Sequence, residues 1–235
     1  MQLFFKKNIN ENNFFLDKYE SKHICKVLRK KEGEVLYFTD GNGNLITTKI
    51  LIADINKTYL QVVKKELKSK EHNYHLHLAI APTKNIDRFE FFIEKATEIG
   101  IDEITPIICD RSERKTIKQE RINKIIISAV KQSLKYYTPK LNSLINFNNF
   151  IKQDFKNEKY IAHCKKGIKK LISHIKPNKK IIILIGPEGD FSDSEIALAL
   201  EHNFKQISLG NSRLRTETAG IFATNAVNLI SNNIL

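Results

Sequence analysis

The chain has 235 residues, 41% of them hydrophobic and 28% charged, which suits one large or two modest soluble globular domains. Its formal net charge is +13. That is a statement about partners rather than fold, and nucleic acid leads because neutralised phosphates release counterions. The plainer alternative is a generic basic surface from a composition rich in Lys, Asn and Ile. No apolar run reaches the roughly 18 residues of a membrane span, and MQLFFKKNINENNF lacks the apolar core of a signal peptide. Cys25, Cys109 and Cys164 match neither a zinc spacing nor a disulfide framework. A reduced, cytoplasmic compartment and no membrane partner are the expectations.

Residues 1–70 read as β-rich. Glu34–Phe38, Leu45–Ile55 and Tyr59–Val63 carry Val, Ile, Thr and Tyr, with turn signals at Asp40-Gly41-Asn42-Gly43 and Asn56-Lys57 between them. Short strands and tight turns predict a small barrel. His23–Arg29 is predicted to be its one short helix, and Phe4 and Phe5 are predicted core residues. Lys64–Asn73 is charged and poor in apolar residues, a natural linker. From His75 onward, strands and helices alternate. Leu76–Ala81 is a predicted strand. Ile86–Ile99 has apolar residues at 86, 89, 92, 93, 96 and 99, a helical spacing closed by Gly100. A strand at Glu103–Cys109 and a helix at Lys118–Lys135 follow, and Asn142–Phe155 reads as an ordered surface segment. Strands at Tyr160–Cys164, Lys180–Ile185 and Gln206–Leu209, and helices at Ser194–His202 and Thr216–Ile230, complete the series. The pattern predicts an α/β domain with a mostly parallel sheet covered by helices.

Two strand–turn–helix junctions near the C-terminus could carry chemistry. Ile182–Phe191 reads IILIGPEGDF and runs into Ser192-Asp193-Ser194-Glu195, the spacing of a capping box. Ser208–Ala219 reads SLGNSRLRTETA. Loops at strand C-terminal ends are where open α/β sheets bind ligands. Gly186-Pro187-Glu188-Gly189 is neither a Walker loop nor a GxGxxG fingerprint, and an ordinary β–α turn would look the same. Arg213-Leu214-Arg215-Thr216-Glu217-Thr218 crowds more polar function into one turn than a helix cap needs, and helix N-terminal amides favour an anion there. Glu94, Lys95 and Glu98 read as charge pairs on a wet helix face. His23, Lys26, Arg29, Lys30 and Lys31 form a basic cluster that would suit phosphates or simply solvent. No Ser-His-Asp or Cys-His set and no metal-ligand cluster is visible.

These residues resemble the family of ribosomal RNA small-subunit methyltransferase E. IGPEGDFSDSE and LGNSRLRTETA carry the resemblance. His23-Ile-Cys-Lys-Val-Leu-Arg29 with Gly33, the helix with Lys84, Arg88, Glu90 and Lys95-Ala96-Thr97-Glu98-Ile99-Gly100, and Arg121, Ala129, Gln132, Ser133 and Pro139 are similar to further family motifs. The resemblance implies a PUA-like β-barrel over 1–70 that binds RNA, and a SPOUT-class methyltransferase domain over 74–235 with a deep trefoil knot. It implies a homodimer, S-adenosyl-L-methionine as cofactor, and methylation of N3 of a uridine in 16S rRNA of the small ribosomal subunit.

The cofactor would lie against Ile185, Gly186, Pro187, Glu188, Gly189, Leu209, Gly210, Ser212, Leu214, Arg215, Thr218 and Ala219. Arg215, Glu217 and Arg88 would act in catalysis: Arg215 on the developing anion, with Arg88 or Arg121 reaching in from the partner subunit, and Glu217 accepting the proton or fixing an arginine. Lys6, His23, Lys26, Arg29, Lys30, Lys84 and Arg121 would contact RNA, and no metal is expected. The chain departs from the family pattern at Gln2 and Leu3, where arginines are usual, at Asp190, where a glycine is usual, and at Lys135, where an arginine is usual. A SPOUT methyltransferase acting on another RNA such as tRNA, and a noncatalytic RNA-binding assembly factor, are the competing readings.

Overall fold

The computed structural model describes residues 1–9, 11–156, 158–165, 169–175 and 180–232. They group into two units, Met1–Lys70 with Val130–Thr138 and Glu71–Ala129 with Pro139–Leu235.

The first unit is one five-stranded sheet with a short helix. Its strands are β1 (Leu3–Phe5), β2 (Asn13–Phe15), β3 (Val35–Thr39), β4 (Asn44–Ile52) and β5 (Tyr59–Leu67), in the order β1-β3-β4-β5-β2. β1 and β3 run parallel and the other pairs antiparallel. Alternation sends Phe4, Phe14, Leu36, Phe38, Ile46, Ile50 and Leu60 into one core. Two expectations are corrected here. The helix starts earlier, with α1 at Lys18–Lys22 capped by Asp17, and continues through a π-type turn at His23–Val27. Strand β5 runs through Lys64–Leu67, into the expected linker, because those residues pair with Asn44–Thr47. β1 and β2 are three residues each, too short to show alternation in the sequence. At Gly43, φ is +93 and a Cβ would lie 2.4 Å from the Tyr137 ring, so the tight turn needs glycine on both counts.

The second unit holds a parallel sheet. Its strands are β6 (His75–Ile80), β7 (Glu103–Ile108), β8 (Lys140–Leu141), β9 (Ile145–Asn146), β10 (Glu158–Ala162), β11 (Lys170–Leu171), β12 (Lys180–Ile185) and β13 (Lys205–Ser208). Their order is β11-β13-β10-β12-β6-β7-β8, with β9 pairing β7, and every pair is parallel. Such a sheet needs apolar cover on both faces. α2 (Ile86–Ile99) and α6 (Thr216–Ser231) pack on each other, and α6 also packs on β6 and β12. Gly220 permits this, since a Cβ there would lie 2.7 Å from Phe92 and 2.8 Å from Ile80. On the other face, α4 (Phe147–Ile151) and α5 (Asp193–Glu201) bury Phe147, Phe150, Ile196 and Ala199 against Ile182 and Leu184. Asn142–Phe155 is therefore core-forming through its phenylalanines, not the surface segment expected. α3 (Gln119–Gln132) begins in this unit, and its last three residues belong to the first. Ser192 and Glu195 make the expected capping box on α5. No helix among the described residues is long and apolar enough to cross a membrane.

Candidate active site

Strands β13, β10 and β12 lie side by side and parallel, so their C-terminal ends share one edge of the sheet. In the chain β10 comes first, β12 is laid on one side of it and β13 on the other. This reversal of winding opens a crevice of the kind that holds ligands in α/β sheets. The crevice encloses about 670 Å³, within the roughly 300–1,000 Å³ of small-molecule sites. Ile185–Glu188, Leu209, Gly210, Ser212, Leu214, Arg215 and Ala219 line it. Of the expected cofactor contacts, Gly189 and Thr218 are not among the lining residues. A Cβ on Gly189 would point at Arg111, whose Nη1 donates to the Gly189 carbonyl at 2.8 Å.

Both motif turns are fastened by their own polar groups. The Asp190 N–H donates to the Pro187 carbonyl at 2.9 Å, which closes the first turn. Asp190 itself has φ 61, a left-handed conformation that Asp tolerates better than most residues. Its Oδ1 accepts the Phe191 N–H at 2.8 Å and its Oδ2 the Cys164 N–H at 2.9 Å. The carboxylate thus stabilises a turn that glycine would leave free. Gly186 lines the crevice and is also tightly packed: a Cβ there would lie 3.1–3.2 Å from the Phe191 ring and amide. Gly210 has φ +120 and open space around it. Thr216 Oγ1 donates to the Gly186 carbonyl at 3.0 Å and ties the two turns together. The Glu188 carboxylate accepts the Lys84 N–H at 2.9 Å, joining the first turn to the loop before α2.

A third wall escaped the sequence reading. Ala162, which ends β10, and His163, Cys164 and Lys169 beyond it line the same crevice. Burial lowers the pKa of His163, against its hydrogen bond to Gln206 at 2.8 Å. This lysine-rich stretch carries a single glycine, Gly167, and no proline, too little to mark a ligand turn, so only the strand order reveals it.

The charged residues divide clearly. Arg215 is exposed, lines the crevice and stands at the N-cap of α6, which has no side-chain cap. Glu217 is buried at 8% exposure, and its Oε2 has no hydrogen-bond partner among the described residues. Arg88 Nε lies 4.0 Å from Glu217 Oε1 in the same chain, outside the crevice lining. Arg121 is held by Glu90 at 2.6 Å and Lys84 by Glu113 at 2.7 Å. In the first unit Lys30 pairs with Glu34 at 2.7 Å, Lys6 sits 5.6 Å from the Phe14 ring, and His23 is edge-on to Phe4. Lys26 is in the π-type turn, and Arg29 follows it at φ 54. No group of three or more His, Cys, Asp or Glu among the described residues could hold a metal ion.

The RNA methyltransferase domain family matches residues 70–228, and the RNA methyltransferase PUA domain family matches residues 16–65. Ribosomal RNA small subunit methyltransferase E of Buchnera aphidicola subsp. Acyrthosiphon pisum is 32% identical, over 96% of this chain and 92% of its own. The chain belongs to the ribosomal RNA small subunit methyltransferase E family. A probable rRNA-methyltransferase from Porphyromonas gingivalis superposes with a TM-score of 0.94 at 38% identity, covering both chains fully. The family member from Neisseria gonorrhoeae, solved bound to S-adenosyl methionine, superposes at 0.86 with 26% identity over 96% of each chain. The fold is accordingly a SPOUT-type α/β domain with an N-terminal PUA-like domain.

Proposed function

We propose that this protein transfers a methyl group from S-adenosyl-L-methionine to N3 of a uridine in the 16S rRNA of the small ribosomal subunit. The observation that carries this reading is the crevice, because both motif turns of the family line it and Arg215 stands among its lining residues. The backbone of Ile185–Glu188 with Leu209, Gly210, Ser212 and Leu214 would hold the cofactor, and Ala219 would close its floor. Gly189 and Thr218 would support these turns from outside. When bound, the cofactor supplies an electrophilic methyl on a sulfonium.

Arg215 presents its guanidinium at the crevice, where it stabilises the negative charge that spreads over the uracil carbonyls as N3 loses its proton. Glu217 offers Oε2 as a resting place for that proton or as an anchor for Arg88. Residues 74–235 form the methyltransferase domain and residues 1–70 the RNA-binding one, with Lys6, His23, Lys26, Arg29, Lys30, Lys84 and Arg121 on phosphates. A knot is supported by the return of α6 from β13 to pack on residues 172–174 as well as on α2. A cytoplasmic homodimer is the working assembly, and Phe91 and Phe222, exposed on α2 and α6, offer it an apolar face.

The test is transfer of labelled methyl to small ribosomal subunits from a strain lacking this gene, with the product mapped by mass spectrometry. One N3-methyluridine in 16S rRNA is the expected result. Cofactor binding without transfer would move the substrate to another RNA. No cofactor binding would leave an assembly factor.

A further inference from the structure

The outer face of the five-stranded sheet carries side chains that neither the crevice nor the basic cluster uses. Phe14, Leu60 and Ile50 point inward and are buried, so their neighbours point out. Tyr59 is the Cα partner of Phe15 on one side and of Ile52 on the other. The three therefore form one row across β2, β5 and β4. Phe15 is 45% exposed and Ile52 51%. The Phe15 and Tyr59 rings stack with centroids 4.3 Å apart and planes at 26°. The Lys57 ammonium stands 4.2 Å from the Phe15 centroid. The adjoining row on the same face is Asn13, Gln61 and Lys49, two amides and an ammonium.

Aromatic faces, amides and lysines side by side are the chemistry that receives an unpaired nucleotide. The base stacks, its edge meets the exposed Gln61 amide, and its phosphate meets an ammonium. A purely apolar protein partner would gain nothing from a lysine lodged on the outer ring of the row, Phe15. The carboxylates next to these segments in the chain hold backbone amides. Asp17 accepts the Glu20 N–H at 2.8 Å, and Asp54 accepts the N–H groups of Asn56 and Lys57 at 2.7 and 3.0 Å. The chain's net charge of +13 complements a phosphate backbone.

We propose that Phe15 and Tyr59 form a stacking platform for unpaired bases of the RNA, with Lys57 on the phosphate of the stacked nucleotide. The proposal rests on the methyltransferase reading only in taking RNA as the partner.

The experiment uses the full chain and a fluorescein-labelled, unstructured oligouridylate 12-mer, with binding followed by anisotropy over a salt series. Phe15→Leu and Tyr59→Leu keep an apolar side chain on each strand and remove the ring. Each is expected to weaken binding roughly 5- to 100-fold, with the salt slope unchanged. Lys57→Gln is expected to lower that slope by about one. Unchanged affinity in folded Phe15→Leu and Tyr59→Leu proteins overturns the platform. Should either variant unfold, cross-links from 4-thiouridine to the unaltered protein decide: adducts on Phe15 or Tyr59 support it, and adducts confined to other segments overturn it. Altered self-association by sedimentation without altered RNA affinity makes this face a protein interface, which also overturns it. Methyl transfer to small subunits separates the two readings. Ring-dependent oligonucleotide binding by a protein without transferase activity keeps the platform and removes the proposed function. Transfer with ring-independent binding does the reverse.

Discussion

The two ends of the parallel sheet handle polar groups in opposite ways. Toward the N-terminal ends of its strands, polar side chains largely satisfy one another, His75 Nδ1 being the buried exception among the described residues. His77 Nε2 meets Thr105 Oγ1 at 2.7 Å, Asn142 Nδ2 donates to Thr105 Oγ1 and to Glu103 Oε1 at 2.7 Å each, and Lys140 reaches Glu103 at 3.1 Å. The Tyr74 hydroxyl donates to the Gly100 carbonyl at 2.8 Å and accepts from Asn228 at 3.1 Å. Burial pushes the Tyr74 hydroxyl up to about 12 and His77 down to about 4. At the C-terminal ends, α6 begins without a side-chain cap, Arg215 is exposed and Glu217 Oε2 has no partner among the described residues. One end is largely paired among its own side chains, and the other leaves a guanidinium exposed and a buried carboxylate oxygen unpaired. Unspent polar groups cost stability where they stand, and a site for a ligand is where that cost is tolerated.

The sharpest way to break this contrast is at Arg215. If the open end exists to stabilise charge in a reaction, Arg215→Ala lowers turnover by about 10²- to 10³-fold, the loss typical of one electrostatic donor. The thermal midpoint stays put, since the side chain makes no cap bond. Labelled methyl transfer and a melting curve read the two quantities on one sample. Turnover near the unaltered value would leave the open end without a chemical purpose.

The closed end is probed by pH. His77 is held neutral in the folded chain by burial, against the pull of Glu103, at about 4. The unfolded chain takes up that proton near the ordinary value of about 6.5. The stabilisation is present above that value and is lost as pH falls from about 6.5 toward 4, by at most roughly 3 kcal/mol. His77→Gln removes the titration while keeping a donor for Thr105. Denaturant unfolding at pH 7 and pH 4.5 should then differ less than in the unaltered chain. An unchanged pH dependence would show that the network is not closed around a neutral imidazole.

Much of this contrast is legible before any coordinates, but not evenly. The helix Ile86–Ile99 has its observed bounds in its 3.6-residue spacing and its terminal glycine. The turns at Gly186 and Gly210 announce themselves by Gly and Pro after apolar runs. The third wall at His163, Cys164 and Lys169 does not, because it is brought in by strand order, and β10 becomes the middle strand only through long-range pairing. The closed network is equally hidden: His77, Thr105 and Asn142 lie in separate elements, and nothing local marks them as partners. Asp190 is the instructive case. Its departure from glycine looks like a steric liability in one dimension, whereas its two hydrogen bonds make it a fastener in three.

Glu217 gives the smallest effect and tests the cost of openness most directly. Its carboxylate is buried with one oxygen unpartnered among the described residues, and Arg88 lies 4.0 Å from the other oxygen with 43% of its own side chain exposed. An ion pair that open to water contributes about 0–1 kcal/mol, less than desolvating a charge without a full set of hydrogen bonds costs. Glu217→Gln keeps the shape and removes the charge. The folded state should therefore gain about 1 kcal/mol, a gain of the kind obtained where a site had been held unstable for function. Turnover should fall in the same protein, because the amide can neither take a proton nor anchor Arg88 by charge. A calorimetric scan beside the transfer assay reads both signs at once. If the midpoint falls instead, Arg88 satisfies the carboxylate after all, and this end of the sheet is as closed as the other.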